Sequence, residues 1–93
     1  MVFLKDSNKK YLMVNKAFLN FFNLNEEEVI GKNDFEILPE ELARNRESSD
    51  NMMIEKLHEI TVEEYYNDKI FKTHKFPVYL DDGTIGIGGI IYD

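Results

Sequence analysis

A chain of 93 residues with a mass of 11.0 kDa fits one compact domain and leaves no room for a second core. Surface scaling predicts that folding buries about 65% of what the unfolded chain exposes; a hydrophobic share of 43%, with seven Phe and five Tyr, can fill such a core and excludes disorder or a collagen-like repeat. The net charge is −7, and the absence of cysteine excludes disulfides, iron–sulfur clusters, thiolate nucleophiles and thiol–flavin adducts.

The charge is uneven. Residues 1–16 carry +3, residues 25–41 carry −6 and residues 42–68 carry −4, while the rest sum to zero. An acidic middle disfavours a phosphate backbone, so nucleic acid is not an expected partner. It reads as a solvated helical surface, with recruitment of a basic partner as the alternative. The longest unbroken apolar or glycine run, Ile85 to Tyr92, has eight residues, far short of the roughly 20 that span a bilayer. Lys5, Lys9 and Lys10 interrupt any signal-peptide core after Met1-Val2-Phe3-Leu4. The expectation is a cytoplasmic segment without membrane contact, whose parent protein can still be membrane-anchored.

The chain opens with two short apolar runs, Val2-Phe3-Leu4 and Tyr11-Leu12-Met13-Val14, around a polar cluster from Lys5 to Lys10. That pattern predicts a hairpin. Asn15 precedes Phe18, Leu19, Phe21 and Phe22 and is placed to cap a short helix that ends at Asn23, a residue tolerant of left-handed backbone. Asn25 with Glu28, and Asn33 with Glu36, each form an Asx-x-x-Glu capping pattern, and Gly31 separates the two short helices they open. Pro39 suits a first helical turn, and Leu42, Ala43, Met53, Ile54 and Leu57 recur at helical spacing, predicting a longer helix over about 39–57.

From Ile60 the period changes to two. Ile60, Val62 and Tyr66 alternate with polar neighbours, Ile70 to Leu80 is rich in strand formers, and Asp81-Asp82-Gly83 turns the chain into a third run, Thr84 to Tyr92. The order predicts an α+β domain: a five-stranded antiparallel sheet with short helices and one longer helix on one face.

Five segments carry a family resemblance over essentially the whole chain: Tyr11 to Phe18, Asn25 to Lys32, Asn33 to Glu40, Lys75-Phe76-Pro77, and Asp82 to Ile90. Together they resemble the PAS domains of bacterial and archaeal signalling proteins. Asp93 resembles the first residue of the Asp-Ile-Thr signature that hands over to a signalling helix, which implies a single PAS domain cut from a larger protein. Asn15 resembles the family's asparagine at the first helix, Asp34 the acid of the short helix after it, and Glu64 a glutamate common at its strand position. All three read as structural, Glu64 as a partner for Lys75 or Lys72 across the strands.

The family's cavity lies between the inner sheet face and the long helix. Strand alternation predicts Leu12 and Val14 pointing inward with Phe76 and Val78, facing Phe35, Ile37, Met53 and Leu57; Phe18 and Ile87 complete the set. These positions read either as pocket lining or as plain core. Exposed Met13 and Tyr11 would then mark the outer sheet face.

Several chemistries fail on spacing. Gly86, Gly88 and Gly89 lack the last glycine of a dinucleotide fingerprint, where Ile91 stands, and no helix follows. His58-Glu59 opens a zinc-protease pattern that Val62 breaks. The resemblance would place a haem ligand inside the long helix, where this chain has Arg44 to Ser49, so haem is disfavoured. Non-covalent flavin stays open, and the sequence names no cofactor.

The resemblance implies a sensory or regulatory module that catalyses no reaction itself. It would bind a small metabolite or a partner and relay a conformational bias to an effector domain of the same chain, a histidine kinase or a diguanylate cyclase, within a homodimer. The alternatives are a ligand-free PAS dimerisation module and a small α+β enzyme whose carboxylates, Glu64 among them, converge in a cavity.

Overall fold

The computed structural model describes residues 1–92. The handover expected at Asp93 lies outside the described residues. In chain order the elements are β1 (Val2–Lys5), β2 (Tyr11–Val14), α1 (Lys16–Phe22), α2 (Glu26–Val29), α3 (Asp34–Ile37), α4 (Glu40–Lys56), β3 (Ile60–Tyr66), β4 (Lys69–Tyr79) and β5 (Ile85–Tyr92). The strands form one antiparallel sheet in the order β2-β1-β5-β4-β3, with β1 and β5, far apart in sequence, paired at its centre.

Side chains at the turns fix these elements. The Asn15 carboxamide oxygen accepts from the amides of both Phe18 and Val2, at 3.1 Å each, so one residue caps α1 and ties it to β1. Asn25 with Glu28 and Asn33 with Glu36 form reciprocal capping boxes. Asn23 ends α1 in the left-handed conformation, as its sequence position predicts. Two hairpin turns close the last three strands. Gly83 (φ +84°) lies in one, and Asn67 and Asp68 form the other, both with positive φ as a two-residue primed turn requires.

The core lies between the sheet and α4, where Phe3, Val14, Phe18, Met53, Phe71, Ile87 and Ile91 are buried. On β2 the structure departs from simple alternation. Phe3 pairs with Val14 and Leu4 with Met13, but Lys5 pairs with Tyr11, so Leu12 is the extra residue of a β-bulge. The bulge puts both Tyr11 and Val14 on the inner face and leaves Leu12 exposed. The expectation of an inward Leu12 and an outward Tyr11 is thereby corrected.

Candidate functional site: a buried ring of charge

Alternation on β4 also runs in the opposite phase to the one the apolar residues predict. Thr73 and Lys75 are buried on the inner face, so Phe76 and Val78 point outward, Phe76 lying over Gly88. Phe35 lies exposed on α3, and Leu57 is the exposed left-handed residue that ends α4. Of the ten residues assigned to a pocket, the inner core holds Val14, Phe18, Met53 and Ile87, with Ile37 packed half-buried against them. Leu12, Phe35, Leu57, Phe76 and Val78 lie elsewhere. The reason is that polar residues occupy the inward positions.

Those residues form a closed ring of alternating charge beneath α4. Lys5 Nζ lies 2.5 Å from Asp34 and 2.7 Å from Asp50; Asp50 meets Lys75 at 2.7 Å; Lys75 lies 3.7 Å from Glu64; Glu64 lies 3.5 Å from Arg46; and Arg46 returns to Asp34 at 3.4 Å. Three cations face three anions, each at most 5% exposed. Burying unpaired charge is prohibitive, whereas a neutral, hydrogen-bonded set is tolerated. Periodicity brings them together: Lys5 follows Phe3 by two residues on β1, Thr73 and Lys75 follow Phe71 on β4, and Arg46, Ser49, Asp50 and Met53 share one stripe of α4.

The remaining bonds are specific. Lys75 Nζ donates to Asp50 at 2.7 Å, to the Ser49 hydroxyl at 2.5 Å and to the Arg46 carbonyl at 3.2 Å, which uses all three of its protons. Thr73 donates to Glu64 at 2.6 Å. The Tyr11 hydroxyl donates to Asp34 and accepts from Arg46 at 3.2 Å. Lys5 and Arg46 also lie 5.3 and 5.0 Å from the centroid of the Phe3 ring. The ring is tight at Lys5, Asp50 and Lys75 and loose at Arg46, whose Nε has no hydrogen-bond acceptor.

Burial pushes the Tyr11 hydroxyl well above its ordinary value and holds Lys75 below its own, despite the pull of Asp50. For Arg46, burial opposes the charge, but Tyr11, Asp34 and Glu64 outweigh it and raise the value, so Arg46 stays charged. Burial would raise Asp34, yet Arg46 and Lys5 together hold it below its ordinary 3.8. A carboxyl depressed on folding contributes stability that is present above the unfolded value and is lost as pH falls through the folded one. Unfolding free energy should therefore drop as pH falls below 3.8, and Asp34→Asn should flatten that drop. Urea titrations of both proteins between about pH 6 and pH 3 test this; equal acid slopes would refute it.

The free volume beside the ring lies at its outer rim rather than in the core. A crevice of about 10 Å³ reaches Arg46 and Glu64 between Phe22, Tyr66 and Phe71, room for a single water. A polar cleft of about 190 Å³ opens over Asp34 and Asp50 between Lys9, Phe35 and Glu47. An open groove of about 610 Å³ lies between the start of α4 and the β3–β4 hairpin. Sequence reasoning missed Lys5, Tyr11, Arg46, Ser49, Asp50 and Thr73. The signal was available in the polar stripe of α4 that fills the gap between Ala43 and Met53.

Among the described residues no helix is long and apolar enough to cross a membrane, and no cluster of His, Asp and Glu is arranged to hold a metal ion. The sequence matches the family model of the PAS fold over residues 1–93. No curated protein matches it. Among solved structures, a domain of an HTR-like protein from Haloarcula marismortui is similar with a TM-score of 0.87 at 14% identity, over 99% of this chain and 94% of that one. A sensory box sensor histidine kinase from Vibrio cholerae gives 0.84 at 17% identity, over 99% and 79%. The PAS domain of BvgS from Bordetella pertussis gives 0.72 at 18%, over 99% and 74%. At these identities the likeness is one of fold.

Proposed function

The chain belongs to the PAS family, and from that premise we propose that it is a regulatory module of a signal-transduction protein whose input is a partner rather than a metabolite held in its interior. The observation that carries this reading is the ring: the apolar space between sheet and α4 is taken by the chain's own charges, with about 10 Å³ left at Arg46 and Glu64, and the cleft of about 190 Å³ over Asp34 and Asp50 is polar and opens at the surface rather than into the core. The ring joins β1, α3, α4, β3 and β4, and Tyr11 adds β2, so it fixes how α4 sits on the sheet. A partner that prefers one of two such packings would shift their populations by its differential affinity, and the bias would travel along β5 towards an effector. The Vibrio cholerae protein of similar fold is a sensor histidine kinase, which makes a kinase the first effector to test and a diguanylate cyclase the second.

A homodimer fits the outer sheet face. Val2, Leu4, Met13, Phe76, Val78, Ile90 and Tyr92 share it by alternation, an apolar surface of the kind that marks contacts between proteins. Native mass spectrometry of the chain purified from cells tests both statements. The expected result is the bare polypeptide mass with a dimer fraction that rises with concentration and is reduced by Ile90→Glu. A co-purified small molecule in the spectrum overturns the partner-driven reading, and a dimer indifferent to Ile90→Glu overturns the assigned face.

A further inference from the structure

The two edges of the sheet are treated differently. On β2 the edge is closed by the loop after α2: Tyr11 N–H donates to the Lys32 carbonyl at 2.9 Å, and Gly31 N–H donates to the Tyr11 carbonyl at 2.8 Å. On β3 no such cover exists among the described residues. The two-residue turn at Asn67-Asp68 makes Tyr66 and Lys69 a hydrogen-bonded pair, so alternation turns the backbone of Ile60, Val62, Glu64 and Tyr66 towards β4. The N–H and C=O groups of Thr61, Glu63 and Tyr65 therefore point away from the sheet. Among the described residues these six groups have no protein partner, and the strand lacks the proline, lysine or bulge that usually blunts an edge.

We propose that this edge receives an extended segment of a partner protein as a sixth strand, and that the segment alternates apolar with basic residues. Main-chain bonds to Thr61, Glu63 and Tyr65 would supply affinity, and the two faces of the added strand would supply specificity. Side chains on its inner face would lie beside Val62 and Tyr66 and reach the groove at Leu42, where Pro39, Tyr66 and Ile70 offer apolar surface rimmed by Glu41 and Asp68. Those on its outer face would lie beside Glu63. On that face Glu59 is a second acid, 3.4 Å from His74, and Lys72 lies opposite Glu63 in register; Glu41 and Asp68 add acid at the groove, where Lys69 is the nearest cation of β4. Acids are in excess, so lysine or arginine is the complementary choice. A second copy of this chain is the wrong occupant: antiparallel pairing about the centre of the free edge sets Glu63 against its own copy, and like charges directly opposite are destabilising.

The test uses the full chain and two synthetic ten-residue peptides, one alternating Val with Lys and one alternating Val with Glu. Amide hydrogen exchange followed by NMR reads the site. The Lys peptide should slow exchange at Thr61, Glu63 and Tyr65 and bind about tenfold more tightly than the Glu peptide. Glu63→Lys should reverse that preference. Glu63→Pro should abolish protection while leaving the signals of β1 and α4 in place, because the lost N–H faces outward and the β3–β4 ladder does not use it. Protection at other amides, equal affinity for the two peptides, or concentration-dependent protection without peptide would each overturn the proposal, the last by making a second copy the occupant.

Discussion

Asp50→Ala is expected to destabilise the domain by about 3–5 kcal/mol, the largest effect of any single substitution in the ring. Among the described residues Asp50 is the only anion that makes short contacts to two cations, at 2.7 Å to both Lys5 and Lys75. Truncating it leaves two buried ammonium groups under a helix with fewer acceptors. For a domain of this size such a loss approaches the lower end of a typical stability, about 5–15 kcal/mol. Urea unfolding should move to a much lower midpoint, and at physiological temperature a large unfolded fraction should appear.

The companion variant separates charge from packing. Lys75→Met with Asp50→Leu removes one cation and one anion, so the ring stays neutral, and Lys5 keeps its 2.5 Å contact with Asp34. Because apolar residues of similar volume often replace a buried ion pair without loss, the double variant should be more stable than Asp50→Ala alone. The coupling between positions 50 and 75 should be about 0.5–3 kcal/mol, the range for residues in one network. If the two substitutions simply add, the ring is not a cooperative unit and the relay proposed for it loses its physical basis.

The local punctuation of this fold is written plainly in the chain. Asn15, Asn23, Asn25 and Asn33 act at the helix ends their positions predict, because a cap depends on one side chain and its next three neighbours. The phase of the strands was less legible. The rule that polar residues face water assigns Phe76 and Val78 inward, but Lys75 and Thr73 hold that face, since each has a partner contributed by another element. A buried charge is acceptable only when its partner is known. Asp50 and Glu64, the partners of Lys75, lie 25 and 11 residues away in sequence, so no local window contains the answer. The bulge at Leu12 is hidden for the same reason: it exists because Tyr11 must reach Asp34 and Arg46, which a single strand cannot announce.

Gly89→Ala should destabilise, although a glycine within a strand is ordinarily improved by alanine through a less flexible unfolded chain. A β-carbon there overlaps the Phe3 ring. That ring cannot retreat: it is 1% exposed, stands edge-on to Tyr11 with centroids 6.0 Å apart, and carries the Arg46 guanidinium 5.0 Å from its centre. Overpacking of this kind costs about 1–3 kcal/mol. Gly88 offers the control on the opposite face of β5. There a β-carbon overlaps Phe76, but that ring is half-buried on the outer face and has room to swing, so Gly88→Ala should cost less. Adding Phe3→Leu should relieve part of the Gly89→Ala loss and give no relief to Gly88→Ala. Urea midpoints of the five variants, Phe3→Leu alone among them, measure both differences. A Gly88→Ala cost equal to or above that of Gly89→Ala, or no relief from Phe3→Leu, would mean that the inner face of β5 is not clamped. The clamp matters for relay because Phe3 touches β5 and Arg46 together, so a shift of α4 that moves the guanidinium presses on the strand that leads to the C-terminal end.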